Sequence, residues 1–330
     1  MASYTEERIN DVLNSRAFTA VMGVVFAMMA FLAFKSGTYS KLPSIGNGIF
    51  YSVGANWANA TGTSFMVNLL GMLGVVVLSI MLNKMYSFIR TVTFIFGTMF
   101  MVLCLAFPIV CAQFNMGTLL CLVTILGQFV MFSTYQQKAV CQQRVFLVFA
   151  GLSFCTFFHY SFFVLVVAFI VGFIQMRGMN FRGVLAMLLG IATPYWILIG
   201  MGVINPATAM LPSFGWIWKV LPDGQVPLLI TMSAIVGVLA VALVVVNMFT
   251  ILNYRLQLRV YNSFYIVLTI LAIIMMLADM GNMFIYIPLL NYCLAIQIAH
   301  TFTIKASFQR RYIVVLVIMI ACLANYLILV

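Results

Sequence analysis

Charged side chains are scarce in this sequence. Of its 330 residues 6% are Asp, Glu, Lys or Arg, against 65% hydrophobic. A soluble globule of that length needs far more polar surface, so the chain must use lipid as solvent. Acidic residues are scarcest, with five in all; Glu6, Glu7 and Asp11 precede the first apolar run, which leaves only Asp223 and Asp279 beyond it. Two histidines and no Cys/His spacing of a metal site imply no metal, and no glycine loop of phosphate-binding pattern implies no nucleotide cofactor. Neither of the longer polar loops, 35–63 and 205–225, pairs a nucleophile with a base, so hydrolytic chemistry has no visible machinery there. Strand-like alternation is missing as well, which excludes a membrane barrel.

What is present is a series of continuously apolar runs, at about 17–34, 64–82, 91–112, 118–134, 145–158, 160–176, 183–204, 226–249, 263–279, 283–299 and 312–330. In hydrocarbon such runs satisfy their own backbone only as helices. The expected fold is therefore all-α, a polytopic transmembrane helical bundle of about eleven spans. Residues 1–16 form a cytoplasmic amphipathic segment in this reading, with Ile9, Val12 and Leu13 beside Glu6 and Glu7. Residues 17–330 form one transmembrane domain with longer outer loops at 35–63 and 205–225. The first sixteen residues are too long and too acidic for a signal-peptide leader, so the first run is expected to be an uncleaved anchor.

The net charge of +11 resides in short linkers rather than on one face, which points away from nucleic acid and toward membrane orientation. With the N-terminus inside, Arg8, Arg16, Lys84, Arg90, Lys138, Arg144, Arg177, Arg182, Arg255, Arg259, Lys305, Arg310 and Arg311 fall on the inner side. Lys35, Lys41 and Lys219 fall outside. That imbalance places the chain in a bacterial inner membrane with its C-terminus outward. It also requires the chain to turn back at His159-Tyr160-Ser161, either as two short spans or as a re-entrant hairpin. Cys104, Cys111, Cys121, Cys155, Cys293 and Cys322 lie in apolar runs and Cys141 in a basic loop; all seven read as reduced thiols.

The candidate functional residues are the few polar groups on the outer side. Asp279 ends a run in Leu277-Ala278-Asp279-Met280-Gly281-Asn282, and an ionisable group at membrane depth is either functional or a turn cap. His159, at the other tight outer turn, either closes that turn or hydrogen-bonds a polar head group. His300, at an inner edge, reads as structural. Trp216, Trp218 and Lys219, with Asp223 nearby, suit an interfacial segment whose indoles lie at head-group level or stack on a sugar. Pro194-Tyr195, after Gly190, should kink its helix and free a carbonyl.

Arg90-Thr91, Phe107-Pro108, the Gly151-to-Tyr160 turn, Phe181-Arg182-Gly183, Gly190 and Pro194-Tyr195 together resemble an uncharacterised family of polytopic bacterial inner-membrane proteins. Phe158-His159-Tyr160-Ser161 is similar to a phrase in the surface-polysaccharide (O-antigen type) polymerases. That resemblance implies action on lipid-linked sugars at the outer leaflet, with outer-side arginines, none of which this chain places outside. Polytopic glycosyltransferases using lipid-phosphate donors would carry an acidic residue in the first large outer loop, and residues 35–63 contain none. The expected function is binding or handling of a lipid or polyprenyl-linked saccharide at the outer leaflet, with membrane lipids as partners. A lipid-linked sugar transferase with Asp223 or Asp279 as base and Lys35, Lys41 or Lys219 on a diphosphate is the enzymatic alternative. A small-molecule transporter or a membrane scaffold completes the set.

Overall fold

The computed structural model describes residues 8, 11–36, 61–89, 94–135, 142–203, 205–208, 225–251, 255–303 and 311–330. Trp216, Trp218, Lys219, Asp223, Cys141 and most of both outer loops lie outside those residues, as does most of the N-terminal segment. The described residues are helical, with no strand among them. The helices are α1 (Arg16–Lys35), α2 (Thr61–Tyr86), α3 (Ile95–Leu105), α4 (Pro108–Ala112), α5 (Met116–Phe132) and α6 (Gln142–Thr156). They continue as α7 (Phe163–Gln175), α8 (Phe181–Gly200), α9 (Val226–Ile251), α10 (Leu256–Ala278), α11 (Met283–Thr303) and α12 (Arg311–Leu329).

Every apolar run read from the sequence is thus helical. Among the described residues six helical segments are long and apolar enough to cross a membrane: Arg16–Lys35, Gly62–Tyr86, Phe181–Gly200, Val226–Phe249, Leu256–Ala278 and Met280–Thr301. α10 begins at Leu256, seven residues before its apolar run at 263. Its first turns carry Tyr261 and Asn262, which are polar but buried, and hydropathy alone passes over them. The described cysteines are unpaired, as expected.

The run at 91–112 is two helices rather than one. Pro108 has no N–H to donate back along the chain, so the helix stops at Leu105 and restarts at Pro108. Every residue of both pieces is buried, so water cannot meet the carbonyls left over. Side chains meet them instead. Asn291 Nδ2 donates to Leu103 O (3.1 Å), Cys111 Sγ to Cys104 O (3.2 Å) and Asn325 Nδ2 to Ala106 O (2.7 Å). Asn68 Nδ2 donates to Val110 O (2.8 Å) and Cys111 O (3.3 Å), while its Oδ1 accepts from Thr118 Oγ1 (2.8 Å). Cys111 belongs to α4 itself, but the three asparagines belong to α2, α11 and α12, so the break ties three other helices to itself.

α11 is the centre of the bundle, packed against α3, α5, α9, α10 and α12 and almost wholly buried. Buried polar side chains join it to its neighbours, since an unmatched polar group in hydrocarbon is costly. Tyr292 and Tyr265 both donate to Gln128 Oε1 (2.9 and 3.2 Å), and Asn247 Nδ2 donates to Gln297 Oε1 (2.8 Å). On the flank, α8 lies along α6. A Cβ at Gly190 would stand 2.8 Å from Phe146 O, so only glycine allows that approach. α8 is assigned as one continuous helix through Pro194, and Ser153 Oγ of α6 donates to Ile191 O (2.7 Å), one residue beyond the carbonyl that proline leaves without its helical donor. The Pro194-Tyr195 motif serves this packing.

Hydrogen bonds sort the helix ends into two groups. At one end Phe94 N–H donates to Asn14 Oδ1 (2.8 Å), Tyr86 to Phe129 O (3.0 Å), Arg144 to Ser133 O (2.8 Å) and Asn247 to Gln297 O (2.8 Å). At the other, Tyr326 donates to Met29 O (2.6 Å), Phe114 N–H to Ser64 Oγ (2.8 Å) and Asn115 Nδ2 to Phe284 O (3.1 Å). The α6–α7 hairpin reaches from the first end, at Arg144, to the second, at Tyr160.

Replacing Asn68 by Leu strips the donor from two buried carbonyls and should lower stability by about 1–3 kcal/mol. The control is Leu70→Ala, at a 68% exposed position on the same helix. Thermal unfolding in detergent micelles checks this; equal midpoints for the two variants would refute the account of the break.

Candidate functional site

Two turns, α6–α7 and α10–α11, meet at the second end of the bundle. Each is a short 3₁₀ turn, Tyr160–Phe162 in the first and Met280–Asn282 in the second. Asp279 leaves α10 with a backbone that is neither helical nor extended (φ −122°, ψ 63°), and its side chain makes no cap bond to the backbone of the turn that follows. It points instead at the other hairpin. Tyr160 Oη donates to Asp279 Oδ2 at 2.5 Å, across 119 residues of sequence. Asn282 Nδ2 donates both to Tyr160 Oη (2.7 Å) and to Asp279 Oδ1 (3.1 Å), and Tyr286 Oη donates to Asp279 Oδ2 (3.2 Å).

This carboxylate is buried, with 0% exposure, yet its partners are two phenols and a carboxamide; no lysine or arginine pairs with it among the described residues. Neutral donors supply hydrogen bonds to it but no opposite charge, and an ionisable group at such depth is a functional candidate. Half-buried Asn282, Gly281 and Met280 are the layer above it.

His159 forms the second part of the site. It too is 0% exposed, and its ring stacks on Tyr160 with centroids 4.4 Å apart. The backbone N–H of Ser161 donates to Nδ1 (3.1 Å), with Ser161 Oγ also at 2.9 Å. Nδ1 is therefore the acceptor, and in the neutral ring the proton sits on Nε2. That Nε2–H has no hydrogen-bond partner among the described residues. The turn is braced from α8, where Tyr195 Oη lies 2.6 Å from Thr156 Oγ1 and its ring 4.5 Å from that of Phe157.

No protein-family model matches the chain, and neither a curated protein nor a solved structure does.

The two turn residues singled out in the sequence, His159 and Asp279, thus belong to one site, and Tyr195 supports it from behind. Tyr160, Ser161, Asn282 and Tyr286 complete it. Asn282 and Tyr286 stand three and seven residues after Asp279, a spacing that puts them on one helical face, and that was the available signal. His300 is buried at the opposite end of α11, away from this site. Among the described residues no group of three or more His, Cys, Asp or Glu could hold a metal ion. The assembled groups are a carboxylate, a carboxamide, two phenols, a serine hydroxyl and a buried imidazole. They suit hydrogen bonding to hydroxyls, and Ser161 Oγ beside His159 Nδ1 is a hydroxyl within reach of an imidazole.

A double-mutant cycle on Tyr160→Phe and Asp279→Asn should give a coupling of about 1.5–3 kcal/mol, the range for a hydrogen bond to a charged group. Unfolding in detergent measures it, and additive effects would show that the contact contributes nothing.

Proposed function

We propose that the chain is an eleven-span protein of a bacterial inner membrane, N-terminus inside and C-terminus outside. It binds the polar head of a lipid or lipid-linked saccharide at the outer ends of its helices. The topology is supported by the two-group sorting of helix ends, which is the alternation that an odd number of crossings produces. Arg16, Lys84, Arg144, Arg177, Arg255 and Arg259 all adjoin the first group of ends, and Lys35 the second. In this reading α6 and α7 each cross, because their hairpin runs between both groups, although 15 and 13 residues are short for a bilayer.

The convergence at Asp279 is the observation that carries the functional reading. A hydroxyl-bearing head group can replace Tyr160 or Asn282 as donor to the carboxylate and accept from His159 Nε2. Membrane insertion brings such a ligand to the site along the bilayer, with its tail among the helices and its head at their ends. The transferase alternative asks more of the site, because Asp279 would have to act as base while it accepts from two phenols.

Lipid retained through gentle extraction, identified by mass spectrometry, tests this. A polyprenyl-linked or other hydroxyl-rich lipid should be enriched over bulk, and Asp279→Asn should reduce it about tenfold, one lost charged hydrogen bond. The same lipid profile in wild type, Asp279→Asn and Asn282→Ala would overturn the proposal. For topology, in a Cys141→Ser background, a cysteine at residue 40 should react with an impermeant reagent from outside and one at residue 257 only after the inner face is opened. Reaction of both from one side would refute the eleven-span arrangement.

A further inference from the structure

At the other side of the bundle a long lateral groove opens between α1 and α2, with α3 as its floor. It has a volume of about 800 Å³. Ala20, Gly23, Ala27 and Phe31 form its wall on α1, Leu73, Val77 and Ile80 its wall on α2, and Met101 lies between. From Arg16 to Phe31 it follows α1 for about 22 Å, at 1.5 Å per residue. One leaflet of hydrocarbon is about 15 Å deep, half of a core of about 30 Å, so the groove accommodates an acyl chain over its full length.

The lining is apolar except at one end. There Arg16 is exposed, with its guanidinium 5.3 Å from the centroid of the Phe94 ring. No carboxylate pairs with it among the described residues, although exposed Asp11 precedes it by five residues. Lys84, also exposed, continues the row of Val77 and Ile80 one turn farther along α2, on the side where Arg16 stands. Two cations therefore flank the mouth of an acyl-chain groove. A cation held over an aromatic ring at head-group level binds phosphate without ordering a free side chain first.

We propose that this groove holds one acyl chain of an anionic phospholipid, with its phosphate between Arg16 and Lys84, in the leaflet that the N-terminal segment faces. The site is separate from Asp279 and does not rest on the reading of that cluster. The pair of cations selects net negative charge, at about fivefold in affinity per cation at a membrane surface.

Purified protein in detergent is titrated with phosphatidylglycerol and, separately, phosphatidylcholine, and bound lipid is counted by native mass spectrometry. Wild type should bind one phosphatidylglycerol in preference to phosphatidylcholine, and not glycerol phosphate, which lacks the chain. Arg16→Gln should weaken it about fivefold and Arg16→Gln with Lys84→Gln about 25-fold, while Arg16→Lys stays near wild type. Gly23→Leu fills the groove from within: a Cβ there meets only Met101 Sδ, at 3.9 Å, so the fold tolerates it, and binding should be lost with both cations intact. Asp279→Asn should bind phosphatidylglycerol as wild type does, which keeps this test apart from that of the outer site. Unchanged binding in Gly23→Leu, or equal affinity for the two lipids, overturns the proposal.

Discussion

Between Leu103 and Cys111 the chain has to bury a broken helix, and the need to satisfy its backbone where no water reaches organises the bundle around it. Proline at 108 removes a donor, and five carbonyls on either side of the break accept from side chains instead. Because the asparagines that serve them come from α2, α11 and α12, those helices are held at fixed depth as well as at fixed positions. Hydrophobic packing in lipid supplies little of that specificity, since one apolar face is much like another and the surrounding tails are equally apolar.

The outer site depends on that arrangement. Asn291, which serves Leu103 O, and Tyr286, which serves Asp279, are on the same helix, five residues apart. Fixing α11 at the break therefore fixes the height at which Tyr286 and Asn282 present themselves to the α10–α11 turn. The α6–α7 hairpin then completes the site by bringing Tyr160 and His159. Its own position is set by close packing of α6 on α8 at Gly190 and by the Tyr195 brace. Among the described residues this carboxylate is reached by phenols from two hairpins and by no lysine or arginine.

The lateral groove obeys a different logic. Its walls are apolar and face lipid, so occupancy by an acyl chain costs little, and what discriminates among lipids is charge at the mouth. The conspicuous polar groups thus stand at both ends of the bundle, hydrogen-bonding groups around Asp279 at one and Arg16 and Lys84 at the other. Between them most exposed side chains are as apolar as the bilayer, among them Leu70, Leu189, Val238 and Ile320.

The sequence by itself determined the helical class and where the described apolar helices fall along the chain, apart from the early start of α10 and the division of 91–112, and its basic linkers set an expectation of sidedness. These follow from local hydropathy and from charge, which act along the chain and need no partner. It also marked the turns at His159 and Asp279, because a polar residue at membrane depth is conspicuous. Only the tertiary structure decided that 91–112 is a broken helix capped from three directions, that α10 extends back to buried Tyr261 and Asn262, and that Asp279 faces Tyr160 instead of capping its own turn. Each of these depends on a pairing between groups far apart in sequence, where a short side chain finds its partner only after the helices have packed. The groove is of the same kind: Arg16 and Lys84 are 68 residues apart, and their common mouth exists only because α1 and α2 lie side by side on α3.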